Sequence, residues 1–256
     1  MQAIEIQNLT RDYGDLRAVD HITFSVEPGE IFGFLGPNGA GKTTTIRMLT
    51  GLLQPTQGTA RVAGFDVLQA PLEVKARIGY LSEEPFVYPK LTGREFLRFI
   101  GGLYRVDGHR LEDRSNRLLD LFDLEDVGNE LIESYSHGMR QKVALCSLLV
   151  HQPQVLFLDE PTTGLDPKSA RLAKEVLRGL VNKGAAVFMS THILEIAQTM
   201  CDRVGIIDQG RLIALGTLDE IREQARAQGE SLEEVFLELT GGSEVAELAA
   251  YLAQVE

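Results

Sequence analysis

The chain has 256 residues, 44% apolar and 24% charged, enough to bury a sizeable core and ordinary for a folded globular protein. Its longest apolar runs, such as VALCSLLV and VLFL, fall far short of the roughly 20 residues that cross a bilayer, and the opening MQAIEIQNLTRDYG lacks the pattern of a secretion signal. A net charge of −12 argues against non-specific nucleic-acid binding, while Cys146 and Cys201 fit no metal-ligand spacing and read as buried thiols of a reducing, cytoplasmic compartment.

Ile4 and Ile6 alternate with Glu5 and Gln7, and Ile22, Phe24 and Val26 with Thr23, Ser25 and Glu27, the period of two that marks half-buried strands. Tyr13 stands between them in RDYGDLRAV, read as a loop; packing is the ordinary role for such an aromatic, and a face for stacking on a base is the alternative. A Pro28-Gly29 turn leads into IFGFL (31–35), the continuous apolar run of a strand buried on both faces. GPNGAGKT (36–43) then fits G-x-x-x-x-G-K-[ST]. Gly36, Gly39 and Gly41 let the backbone curl so that successive amides face one anion. Lys42 brings a positive charge to the outer phosphates, and the Thr43 hydroxyl can bind Mg2+. A bound nucleoside triphosphate is the expectation, with the helical stretch KTTTIRMLTGL behind it.

RIGYL (77–81) is the next buried strand, followed by Glu83 and Glu84. From about 86 to 150 the pattern turns helical. LTGREFLRFIGGLY opens on a Thr92/Glu95 capping box and carries Phe96, Phe99, Ile100 and Leu103 at helical spacing. SYSHGMRQKVALCSLL (134–149) is a polar turn running into an amphipathic helix, and Ser136, His137 and Gly138 place a hydroxyl and free amides where a helix start can hold an anion. This middle region reads as an all-helical insert in an α/β core. VLFLDEP (155–161) delivers Asp159 and Glu160 to the carboxyl end of a buried strand, where open α/β sheets place their ligands. An Asp-Glu pair alone reads as a surface turn; beside this loop, Asp159 is expected on Mg2+ and Glu160 on the attacking water. AAVFMS (185–190) sends His192 to the same edge, and VGIIDQGRLIALG (204–216) reads as a hairpin around Gln209-Gly210. Residues 219–256 set ten acidic side chains against two arginines, a balance of −8 that leaves −4 for the first 218, and contain a second capping box, Ser231 and Glu234.

GPNGAGKTT, YSHGM, VLFLDEPTTGLDP and STH stand in the order and approximate spacing of the ATP-binding cassette (ABC) ATPases, and residues 3–218 resemble that family. The wording YSHGMRQK is similar to the ATPase subunits of multidrug and antibiotic exporters. The resemblance implies an α/β fold: a P-loop core with a mostly parallel sheet, an N-terminal antiparallel β part and the inserted helical subdomain, together making an ATP-binding domain over 1–218. A short helical acidic extension, 219–256, would follow. It implies ATP and Mg2+ as cofactors, with Gly36, Pro37, Asn38, Gly39, Ala40, Gly41, Lys42, Thr43 and Thr44 around the phosphates and Tyr13 on the adenine. Thr43 and Asp159 would hold the metal, and Glu160, Lys42 and the switch histidine His192 would serve catalysis. Ser136, His137, Gly138 and Met139 would form the signature loop, and Asp166 would belong to the segment joining two active sites.

In that family two cassettes pack head to tail, and the signature helix of one caps the terminal phosphate held by the other. A homodimer or heterodimer of cassettes is thereby implied, with separate permease subunits at the cytoplasmic face of the membrane and no nucleic-acid partner. Phe86 and Tyr88, at the entrance of the helical insert, are candidate permease anchors or else core packing. Two places depart from the pattern. Glu83 stands where the family usually has a glutamine and is expected to take over its task on Mg2+ and the attacking water; His137 and Met139 replace the usual glycine and glutamine of the signature. An importer ATPase, and a soluble ABC ATPase of DNA repair or translation, are the alternative readings.

Overall fold

The computed structural model describes residues 1–227, with side chains through Glu223; the Ser231/Glu234 capping box and most of the acidic extension lie outside the described residues. In chain order the elements begin with β1 (Ile4–Tyr13), β2 (Leu16–Val26), β3 (Ile31–Leu35), α1 (Lys42–Leu49), β4 (Gln57–Val62), β5 (Phe65–Asp66), α2 (Pro71–Lys75) and β6 (Ile78–Leu81). Next come α3 (Gly93–Leu103), α4 (Gly108–Leu121), a 3-10 turn at Ile132–Ser134, and α5 (His137–Leu149). The chain continues through β7 (Val155–Asp159), α6 (Pro167–Val181), β8 (Ala186–Thr191), α7 (Leu194–Met200), β9 (Arg203–Asp208), β10 (Arg211–Gly216) and α8 (Leu218–Ala227).

Two sheets form. An antiparallel one runs β2-β1-β4-β5, and a six-stranded one runs β10-β9-β3-β8-β7-β6, parallel throughout except for the β9–β10 hairpin. Gln209 and Gly210 turn that hairpin with φ of 45° and 81°, the two left-handed residues that match strand twist. β4 pairs with β1 although its exposed–buried alternation is carried by Gln57, Thr59 and Arg61 facing out and only Ala60 and Val62 facing in, a signal too weak to read from sequence.

The apolar runs of β3, β7 and β8 are buried on both faces because the strict side-chain alternation feeds two cores. On one face Phe32, Phe34, Phe157 and Phe188 meet Phe24 of the antiparallel sheet and Ile46, Met48 and Leu49 of α1. Phe24 stacks on Phe32 at 5.1 Å and Phe188 lies 5.3 Å from Phe34; each ring removed from water stabilises the fold by roughly 1.5–3 kcal/mol. On the other face Leu156, Leu158, Val187 and Met189 pack with Val143 and Leu145 of α5 and Ala173 and Leu177 of α6. α1, with its N-terminus at the P-loop, is thus clamped against the aromatic core that joins the two sheets.

Between β6 and β7 the regular elements are helical. α3 begins where expected: Thr92 accepts from the Glu95 amide while Glu95 accepts from the Thr92 amide, completing the capping box. α3 and α4 approach each other at Gly101, where a Cβ would stand 2.2 Å from the Leu111 side chain, which would have to move to admit a larger residue.

Candidate nucleotide-binding site

β3 ends at the carboxyl edge of the parallel sheet, and the loop that follows must turn sharply to start α1. Gly36 passes so close to β9 that a Cβ would lie 2.1 Å from the Ile207 carbonyl, and Gly41, at φ 108°, would place one 2.5 Å from the Ala18 carbonyl. The curl exists because neither position carries a side chain. It opens a cleft of about 360 Å³ lined by Pro37, Asn38, Gly39, Gly41, Lys42, Thr43 and Thr44, by Ala18 of β2, and by Glu83, Asp159 and Glu160. Gly36 and Ala40 are buried behind this lining, where Ala40 donates its amide to the Pro37 carbonyl at 3.2 Å.

The charged groups of the cleft hold one another. Lys42 is buried and its Nζ donates to the carbonyls of Gly36 at 2.7 Å and Pro37 at 3.0 Å, 3.9 Å from Glu160 Oε1. Burial pushes its pKa down, against the pull of Glu160, Asp159 and Glu83. Thr43 Oγ1 donates to Asp159 Oδ2 at 2.7 Å, and Ser190 Oγ donates to the other oxygen, Oδ1. Glu160 follows Asp159 with φ 50°, a left-handed conformation that turns the chain off β7. Its amide donates to Ser190, to the carbonyl at 3.2 Å and to Oγ at 3.3 Å. His192 Nδ1 meets Glu160 Oε1 at 2.8 Å. Ser190 is a member of this network that sequence reasoning passed over. The available signal was its place on a buried strand two residues before His192; its role depends on the β7–β8 register that sets it opposite Asp159.

The remaining candidates lie outside the cleft lining. Tyr13 is not in a loop: bulged pairing carries β1 through it, opposite Leu16, and only Gly14 and Asp15 turn the hairpin. It is exposed, with the Arg11 guanidinium 4.6 Å above its ring. Ser136 caps α5 by accepting the Met139 amide at 3.3 Å; it and His137 are exposed, while Gly138 and Met139 are half-buried. Asp166 caps α6, accepting from the amide and hydroxyl of Ser169 at 3.0 and 2.5 Å, bonds that lower its pKa. The structure therefore gathers the loop, Asp159, Glu160, His192 and Glu83 in one place, and leaves Tyr13, the start of α5 and Asp166 elsewhere on the surface.

The model of the ABC transporter family matches residues 19–163, which hold this cleft's loop, its three carboxylates and the start of α5. The chain belongs to the ABC transporter family. A solved ATP-binding subunit of an ABC transporter superposes with a TM-score of 0.87 at 35% identity, covering 93% of this chain and 99% of that one. Among relatives in this ABC family, the chain is 40% identical to the daunorubicin resistance ATP-binding protein DrrA3 of Streptomyces coeruleorubidus, over 92% of this chain and 74% of that protein. It is 38% identical to the probable multidrug ABC transporter ATP-binding protein YbhF of Escherichia coli, over 92% of this chain but only 41% of YbhF. The chain thus spans about two fifths of YbhF's length.

Proposed function

We propose that this chain binds and hydrolyses ATP as one of two cassettes and thereby powers export through separate membrane-embedded permease subunits. The observation that carries the reading is the bonded network Lys42–Glu160–His192 and Thr43–Asp159–Ser190 at the edge of the cleft behind the glycine-rich loop. Mg2+ fits the donor set: Thr43 Oγ1 and Asp159 Oδ2 are hard oxygens already 2.7 Å apart, and they would hold the ion. When bound, it would shield the charge of the phosphate oxygens.

The chain's own groups supply the rest. Lys42 exchanges the Gly36 and Pro37 carbonyls for phosphate oxygens, and the amides curled around Gly39 and Gly41 cradle the phosphates. Glu160 accepts the proton of the attacking water, and His192 keeps its carboxylate aimed. Glu83, at the cleft wall and close enough to act on the Lys42 charge, takes the place of the family's glutamine toward the attacking water. Tyr13 stacks on the adenine. The signature segment Ser136, His137, Gly138 and Met139, outside its own chain's cleft, faces the phosphate bound by a second copy, and Asp166 lies at that junction. The names of the relatives, multidrug transport and daunorubicin resistance, support an exporter; the exposed Phe86 and Tyr88 before α3 supply apolar anchors for a permease.

Replacing Glu160 by Gln tests the reading. Hydrolysis falls by about 10²–10⁴-fold, the usual worth of a general base, while ATP still binds and light scattering records accumulated dimer. A variant that stays monomeric at saturating ATP and Mg2+ overturns the two-copy reading. Co-purification with a polytopic membrane protein tests the export half.

A further inference from the structure

Three contacts join the first turns of α5 to the segment that follows Glu160. Gln141, fully buried, donates from Nε2 to the Pro161 carbonyl at 3.4 Å. Gly138 comes so near that a Cβ there would stand 3.3 Å from the Gly164 carbonyl. The His137 ring, finally, covers Gly164 itself: a Cβ on Gly164 would lie 2.4 Å from the ring's Cδ2 and 2.5 Å from Nε2, so the imidazole fills the space a side chain would need. Gly164 also sits at φ 77°, where glycine is at ease.

The covered segment is short and lightly held. Its own bonds are two turns, Thr163 amide to Glu160 carbonyl at 3.1 Å and Leu165 amide to Thr162 carbonyl at 3.2 Å, before Asp166 caps α6. Met139 and Leu165 pack at the rim of the same core. A loop centred on a left-handed glycine has many alternative conformations, and a flat ring laid against that glycine removes most of them. The ring is carried by the residue directly after the Ser136 cap, so whatever displaces the start of α5 displaces the ring.

We propose that His137 is a positioning residue: its imidazole, seated on Gly164, locks residues 161–166 to the N-terminus of α5, so that the signature segment, Glu160 and Asp166 move as one body. The contact stands on geometry alone, whereas its consequence for turnover rests on the ATPase reading above. In that reading, when the start of α5 engages the second copy's phosphate, the same motion sets the segment leaving Glu160, and the two ends of the reaction stay in step.

Two readouts separate the contact from the reaction. In the nucleotide-free protein, His137→Ala raises hydrogen exchange at the bonded amides of Thr163 and Leu165 by about tenfold, while His137→Phe, a flat ring of similar footprint, keeps it within about twofold of wild type. In turnover, His137→Ala lowers kcat, while equilibrium ATP binding in a dilute assay is unchanged, because the ring touches nothing in its own chain's cleft. Gly164→Ala is strained at φ 77° in either background and lowers kcat in both, but by at least about threefold more when His137 is present than in the His137→Ala background, where the new methyl has room. Unchanged exchange in His137→Ala, or equal loosening in His137→Phe, overturns the proposal, as does Gly164→Ala costing the same in both backgrounds. If the wild-type chain hydrolyses no ATP, the ATPase reading fails and the exchange data still decide the contact.

Discussion

At the carboxyl ends of β3, β7 and β8 the polar groups are buried and already bonded to one another: Lys42 to two carbonyls, Asp159 to Thr43 and Ser190, Glu160 to His192. At the start of α5 the opposite holds. Ser136 and His137 are exposed, the Ser136 hydroxyl caps the Met139 amide, and helix geometry leaves the other first-turn amides without an intrahelical partner. Both places suit an anion, yet only the first is walled and supplied with acid, base and metal-ligand chemistry. The second is a grip outside that cleft, with only the 161–166 segment of its own chain packed beside it among the described residues. On the proposed reading, a second cassette supplies the missing half.

The contrast breaks most visibly at Ser136. Aspartate caps a helix as well as serine does, so Ser136→Asp keeps α5 while placing a negative charge where a phosphate would dock. Hydrolysis should fall by about 10²-fold or more, as when an oxyanion donor is lost, with equilibrium ATP binding to the cleft unchanged in a dilute binding assay. Weakened binding instead would place the start of α5 in its own chain's site. A smaller effect is expected from Ser190→Ala. It strips one partner from buried Asp159 and one from the Glu160 amide, costing about 1–3 kcal/mol in a denaturant titration and lowering turnover without abolishing ATP binding. Full stability in that variant would mean that the cleft is not held together from within.

The smallest effect concerns acid. Asp20, tying β2 to β10, has its pKa lowered from 3.8 to about 2 by bonds from His21, Arg211 and Arg17, with partial desolvation opposing. A depressed folded value means that its contribution is fully present above the unfolded pKa near 3.8 and is lost as pH falls through about 2. Acid unfolding of Asp20→Asn should therefore run less steeply with pH between those values than wild type; identical curves would show the cluster to be idle.

Much of this molecule was written along the chain. Apolar runs without alternation named β3, β7 and β8, since a strand covered on both faces needs no polar side, and glycine spacing marked the tight curl before α1, which forbids side chains at Gly36 and Gly41. The capping box at Thr92 marked a helix start within one turn. What tertiary structure alone decided was adjacency between residues far apart in sequence. Ser190 meets Asp159 only because β7 and β8 pair in one register, Gln141 and His137 meet the 161–166 segment only because α5 packs beside it, and β4 becomes a strand only because β1 offers it an edge. Propensity and periodicity act over a few residues, whereas register and helix docking are settled by the burial of whole faces, so these contacts existed nowhere in the string until the sheet closed over its cores.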